Sequence, residues 1–256
     1  MLVFVVAWVR VSGDRSRLLA EANAFALSPA GLMVGALGNA AVLGAVALVT
    51  ARFQGRPIVA RLRLGATRAS PLGSVAAIAG MLGLSVAGGA ASELLGVRGT
   101  GVMDTMASAL RAPSAGRFVA ALLAIGVAPG VAEETFFRGS MQTRLVASWG
   151  RWPGIVAAAA AFGVIHLDLV QGSLAFVAGL YLGWIVERFG GIRQTIAAHI
   201  ANNALFVSLA ALGAGGDVGS GSRLVGIAVV TGGGALWLGS IALLRQSRAT
   251  TAPSEH

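Results

Sequence analysis

Two glutamates, an arginine, two histidines and two asparagines stand inside stretches of this chain that are largely apolar. They fall in three clusters: Glu133-Glu134-Thr135-Phe136-Phe137-Arg138, Phe162-Gly163-Val164-Ile165-His166 and His199-Ile200-Ala201-Asn202-Asn203. Charged and imidazole side chains cost several kcal/mol at membrane depth unless they are paired or wetted. Their presence points to a polar site enclosed by helices. Carboxylate and imidazole together are suited to activating water.

Spacing assigns provisional roles. On a helix, Glu134 and Arg138 are four apart and share a face, so they can form an ion pair. Glu133 points about 100° away from Glu134 and is free to face a cavity as a general base. The plain alternative is a structural ion pair with a spare glutamate at the membrane surface. Depth separates the two. The apolar pattern continues through Met141, Leu145 and Val146, which predicts a helix running on past Arg138. The glutamates would then lie about 15 Å or more from its inner end.

His166 is four residues after Phe162, on one predicted helix face and about 20 Å from the inner end of its span. His199 is four residues before Asn203, again on one face. Either histidine alone reads equally well as a packed core residue. Together with Glu133 they allow two chemistries. Glu133, His166 and His199 would supply a two-nitrogen, one-oxygen set such as hydrolytic zinc uses, although no HExxH signature is present. Without metal, Glu133 and His166 would activate water while His199 and Asn203 hold the oxyanion. The sequence favours neither zinc nor the metal-free glutamate route.

The elements that must position these residues are membrane helices. Of 256 residues, 56% are hydrophobic and 11% charged, and mean hydropathy is +0.79; a soluble domain carries about 25% charged residues. Cysteine is absent, which excludes disulfides and thiolate metal sites. The net charge of +9 comes from arginine alone. Those arginines cluster between apolar stretches, where they set topology and contact anionic lipid. No soluble basic domain is left over to bind nucleic acid.

A span needs about 20 apolar residues. The candidates are roughly 29–51, 71–96, 117–146, 153–170, 172–187, 192–213 and 223–244, which predicts an all-α polytopic bundle of about seven to eight spans. Residues 1–116 read as an N-terminal membrane region, 117–213 as the catalytic core and 214–256 as a last span with a disordered cytoplasmic tail. Met1 to Val9 is apolar, too short to span and without a cleavage site; it reads as an interfacial segment or the tail of a longer span. The five arginines of the 52–68 loop mark it as cytoplasmic. Strict alternation then puts twelve arginines inside and four outside, with Arg10, Arg15 and Arg17 against the trend. Val102 to Leu110 predicts an interfacial helix. The pairs Gly31/Gly35 and Gly179/Gly183 predict close helix packing.

The three clusters resemble the CPBP family, which comprises the type II CAAX prenyl proteases and the related bacteriocin-processing and immunity proteins. Its motifs EExxxR, FxxxH and HxxxN follow in order on successive helices. Here they read Glu133-Glu134…Arg138, Phe162…His166 and His199…Asn203. The resemblance covers about residues 117–210 and includes the glycine-bearing stretch AGLYLGWIVERFGGI. It implies an intramembrane endopeptidase. Glu133 would be the catalytic glutamate, supported by Glu134 and Arg138. His166 would assist water, and His199 with Asn203 would stabilise the oxyanion. Zinc at Glu133, His166 and His199 stays an open alternative.

The expected function is hydrolysis of a peptide bond in a membrane-associated protein or peptide, with membrane lipids as further partners. The alanine-, glycine- and arginine-rich composition suggests a bacterial cytoplasmic membrane. The competing readings are a non-catalytic immunity or scaffold protein and a proton-coupled transporter. The latter lacks the expected internal repeats.

Overall fold

The structure, a computed structural model, describes residues 15–53, 57–97, 101–213 and 223–246. The apolar start Met1–Val9, Arg10, Arg56, Arg98, Arg248 and the tail beyond Gln246 lie outside these residues, so the readings made of them go untested. The described chain is helical, with no strand among the described residues. The helices are α1 (Arg15–Ala26), α2 (Pro29–Arg52), the short α3 (Ile58–Arg61), α4 (Pro71–Leu94), α5 (Val102–Ala109), α6 (Ala115–Trp149), α7 (Arg151–Val164), α8 (Leu169–Phe189), α9 (Arg193–Ala211) and α10 (Arg223–Gln246).

Local chemistry sets the boundaries. Ser28 and Ser70 cap α2 and α4, accepting from Gly31 N at 3.1 Å and Gly73 N at 3.0 Å. Each is followed by a proline, which suits a first helical position. Asp168 caps α8 through Gln171 N at 2.8 Å. Gly190, with φ +78°, ends it in the left-handed region.

Five helices are long and apolar enough to cross a membrane: α2, α4, α6, α8 and α10. The spans expected at 153–170 and 192–213 correspond to α7, an apolar helix of 14 residues, and α9, of 19 residues. Polar Gln194, Thr195, His199, Asn202 and Asn203 lower the hydropathy of α9. The expected seven to eight spans counted both of these helices. The fold is a helical membrane bundle.

The connections meet at two ends. At one end, Arg68 N donates to Phe189 O (2.9 Å), Ile192 N to Arg63 O (3.1 Å) and Arg193 Nε to Leu64 O (3.0 Å). At the other, Ala112 N donates to Ala211 O (3.0 Å). The arginine-rich loop thus sits with the α8–α9 turn, the grouping that strict alternation requires. Arg138 is an exception to the topology set. It is 1% exposed and lies within the bundle rather than in a loop.

Small residues let the helices close on the site. A Cβ at Gly130 would stand 2.7 Å from Ile200 Cγ1, so α6 and α9 nearly touch there. At Gly179 it would stand 2.9 Å from Ala159 Cβ and 3.4 Å from Arg138 Nη2, and at Gly183 2.7 Å from Gln142 Oε1. The second glycine pair therefore packs α8 onto α7 and α6 as expected. The first does not form a helix interface. Gly31 abuts the Phe25 carbonyl across the α1–α2 turn, and Gly35 meets nothing within 4 Å. The interfacial helix is present as α5, but its Met106, Ala107 and Leu110 pack with Ala121 and Val207 of α6 and α9.

Candidate active site

The first cluster sits near the middle of α6. The helix continues to Trp149, so Glu133 is about 24 Å from that end at 1.5 Å per residue. Both glutamates therefore lie near the middle of the helix, away from either of its ends. Two stretches of α6, Leu122–Val127 and Glu134–Gln142, wind as π-helix, a rare geometry that concentrates at functional sites.

Glu134 and Arg138 form the expected pair, with Nη1 3.0 Å from Oε1 and side chains 0% and 1% exposed. The Arg138 guanidinium also lies 4.3 Å from the centroid of Phe162, whose face attracts a cation. That explains the phenylalanine of the second cluster. Its ring also contacts both histidines edge to face, at 5.0 Å from His166 and 5.8 Å from His199.

His199 joins the two glutamates. Its Nδ1 is 2.9 Å from Glu134 Oε1, and its Nε2 is 3.7 Å from Glu133 Oε2. A carboxylate paired with arginine accepts a hydrogen bond, so Nδ1 carries the donated proton and Nε2 faces Glu133. Glu133 is 8% exposed and His199 6%.

His166 departs from its expected position. Helix α7 ends at Val164, and His166 lies in the following turn, with its amide on Gly163 O at 3.2 Å. Leu167, at φ +53°, reverses the chain so that Asp168 can cap α8. The ring still reaches back four residues, with Nδ1 2.8 Å from Phe162 O. A carbonyl only accepts, so Nδ1 holds the proton and Nε2 is left as the basic nitrogen.

Asn203 has a second task. Pro129 has no amide to offer the Ile125 carbonyl four residues back, and Asn203 Nδ2 donates to that oxygen at 3.3 Å. One amide hydrogen is thereby engaged and the other remains. Asn203→Leu should cost about 1–3 kcal/mol by orphaning this carbonyl, and less when Pro129→Ala restores an amide. Denaturant unfolding of the single and double variants checks this. An equal loss in both backgrounds would show that the carbonyl does not depend on Asn203. Asn202 points elsewhere, with Nδ2 3.5 Å from Asn203 Oδ1.

Sequence reading missed two polar residues. Asn39 of α2 donates through Nδ2 to Glu133 Oε1 at 3.5 Å. Gln142, fully buried, donates through Nε2 to Gly183 O and Glu187 Oε1, both at 3.0 Å. An amide in an apolar span was the available signal in each case.

The zinc alternative would draw on Glu133, His166 and His199. Among the described residues no group of three or more His, Asp or Glu side chains is arranged to hold a metal ion. Each histidine engages Nδ1, one with a carbonyl and one with Glu134, which leaves Nε2 as the open nitrogen of both rings.

Residues 115–205 match the family model described as Type II CAAX prenyl endopeptidase Rce1-like. No curated protein and no solved structure matches the chain. The matched stretch holds all three clusters and runs from the start of α6 into α9. Over residues 115–205 the chain is similar to the type II CAAX prenyl endopeptidases, and that match supports assigning it to the CPBP family.

Proposed function

We propose that this protein is an intramembrane endopeptidase that hydrolyses a peptide bond near the C-terminus of a lipid-anchored protein or peptide. The observation that carries the proposal is the junction at His199. Its Nε2 stands 3.7 Å from the Glu133 carboxylate, while Glu134, locked by Arg138, fixes the other ring nitrogen. Glu133 is the only carboxylate of the cluster left uncommitted to an arginine. The substrate class follows from the family description, a prenyl endopeptidase acting on CAAX sequences.

The steps balance without a cofactor. Glu133 takes a proton from water, which His166 Nε2 helps to orient, and the hydroxide oxygen bonds to the scissile carbonyl carbon. The oxyanion that forms is held by the spare Asn203 amide hydrogen, and by His199 in the form that carries a proton on Nε2 as well as on Nδ1. Collapse breaks the C–N bond, and Glu133 returns the proton to the leaving amine.

The experiment uses purified protein in lipid vesicles with a prenylated peptide, the products being read by mass spectrometry. Release of a short C-terminal fragment is expected, and addition of a metal chelator should leave the rate unchanged. Activity lost to chelator and restored by zinc would overturn the metal-free route. Absence of cleavage across lipidated peptides would favour the scaffold reading.

A further inference from the structure

The two oxygens of the Glu133 carboxylate have different neighbours. Oε2 faces His199 Nε2 at 3.7 Å, while Oε1 accepts from Asn39 Nδ2 at 3.5 Å. Asn39 comes from α2, well before the stretch 115–205 that matches the family model. It is the only polar side chain between Pro29 and Val49. Ten residues into its span, it lies about 15 Å from the start of the helix. An amide at that depth is costly unless it meets a polar partner, and Glu133 is that partner.

The apolar residues around Asn39 fix its direction. Leu32, Ala36, Asn39 and Leu43 recur at helical spacing and share one face of α2. Leu32 and Ala36 pack on the cluster that holds Ile125 and Val207, and Leu43 on the cluster that holds Phe137 and Phe162. Asn39 therefore faces the bundle between two packed clusters, yet the residue itself stays exposed. A space-filling role would bury it. Open surface beside Glu133 fits a donor at the edge of a site that admits water.

The terminal torsion of a glutamate is broad, so without a restraint either oxygen could turn toward the water. We infer that Asn39 is a positioning residue for this reaction: it holds Glu133 Oε1, so that Oε2 is the oxygen that takes the proton. The inference rests on the hydrolytic reading of Glu133. It makes α2 part of the working site, although the family match begins at residue 115.

The test compares the full chain in lipid vesicles with its Asn39→Leu variant, and with Asn39→Ala should leucine disturb the fold. Infrared difference spectra against Glu133→Gln identify the band of the Glu133 carboxyl group. That band is expected to shift in Asn39→Leu. An unmoved band would overturn the contact, whether or not the chain cleaves peptide. On a prenylated peptide, Asn39→Leu is expected to lower kcat roughly ten-fold, about the share of one hydrogen bond to a charged group, with KM held within about two-fold. Denaturant unfolding should be unchanged, because leucine is favourable at membrane depth. A raised KM with normal kcat would make Asn39 a substrate contact and overturn the positioning role, as would a rate loss matched by lost stability. Equal cleavage by wild type and Asn39→Leu would overturn the role and leave the hydrolytic reading standing. No cleavage by the wild type would remove the hydrolytic reading, and this role with it.

Discussion

A Glu133→Gln protein is expected to fold like the parent and to lose peptide cleavage by roughly 10²–10⁴-fold, the share that a positioned general base contributes. The amide is nearly isosteric. Its carbonyl can still accept from Asn39, as Oε1 does at 3.5 Å, and the change removes a charge buried to 8% exposure. Stability should therefore hold or rise while the proton acceptor is gone. The adjacent glutamate should behave differently. Glu134→Gln removes the counter-charge of Arg138 and weakens the anchor of His199 Nδ1, so folding and activity should fall together. Cleavage rates and unfolding curves for both variants separate the roles. Undiminished cleavage by Glu133→Gln would end the proposed mechanism.

Arg138→Met is expected to be the most damaging single change to stability, at about 3–5 kcal/mol, because it leaves Glu134 charged and unpaired. Glu134 is fully buried and would keep only the His199 Nδ1 contact of its two charged or ring partners. The arginine also fills the space between the Phe162 ring and Gly179, which methionine fills only in part. Adding Glu134→Gln to Arg138→Met should recover much of the loss, since replacing both members of a buried pair is often near neutral. Denaturant unfolding in lipid or detergent gives the comparison. A double variant no better than Arg138→Met would place the cost in packing rather than in the unpaired charge.

The sequence made the site's members legible because charge in an apolar span has few explanations. The i,i+4 spacing of Glu134 and Arg138 gave their pairing directly. It did not give His199 as a further partner of Glu134, since that contact joins residues 65 apart and depends on the close approach at Gly130. Pro129 was visible, but its consequence for the Ile125 carbonyl needed Asn203 from another helix. His166 was read onto a helix because apolar residues run through Ile165. The turn is set instead by Asp168 capping the next helix. The π-helical windings have no sequence signature at all, as register within α6 is settled by what packs around it. The helix expected over 153–170 ends at Val164 for a related reason. Helices that carry a site are shortened or made polar by it.

The most direct measurement is a single turnover of wild-type protein on a lipidated peptide in water enriched in the heavy oxygen isotope. Products and the enzyme peptide bearing Glu133 are both read by mass spectrometry. Water activated by Glu133 predicts heavy oxygen in the newly formed carboxylate and none in the Glu133 side chain. Label in Glu133 would show that the glutamate attacks the substrate itself. A failure to cleave would show that the cluster is not hydrolytic.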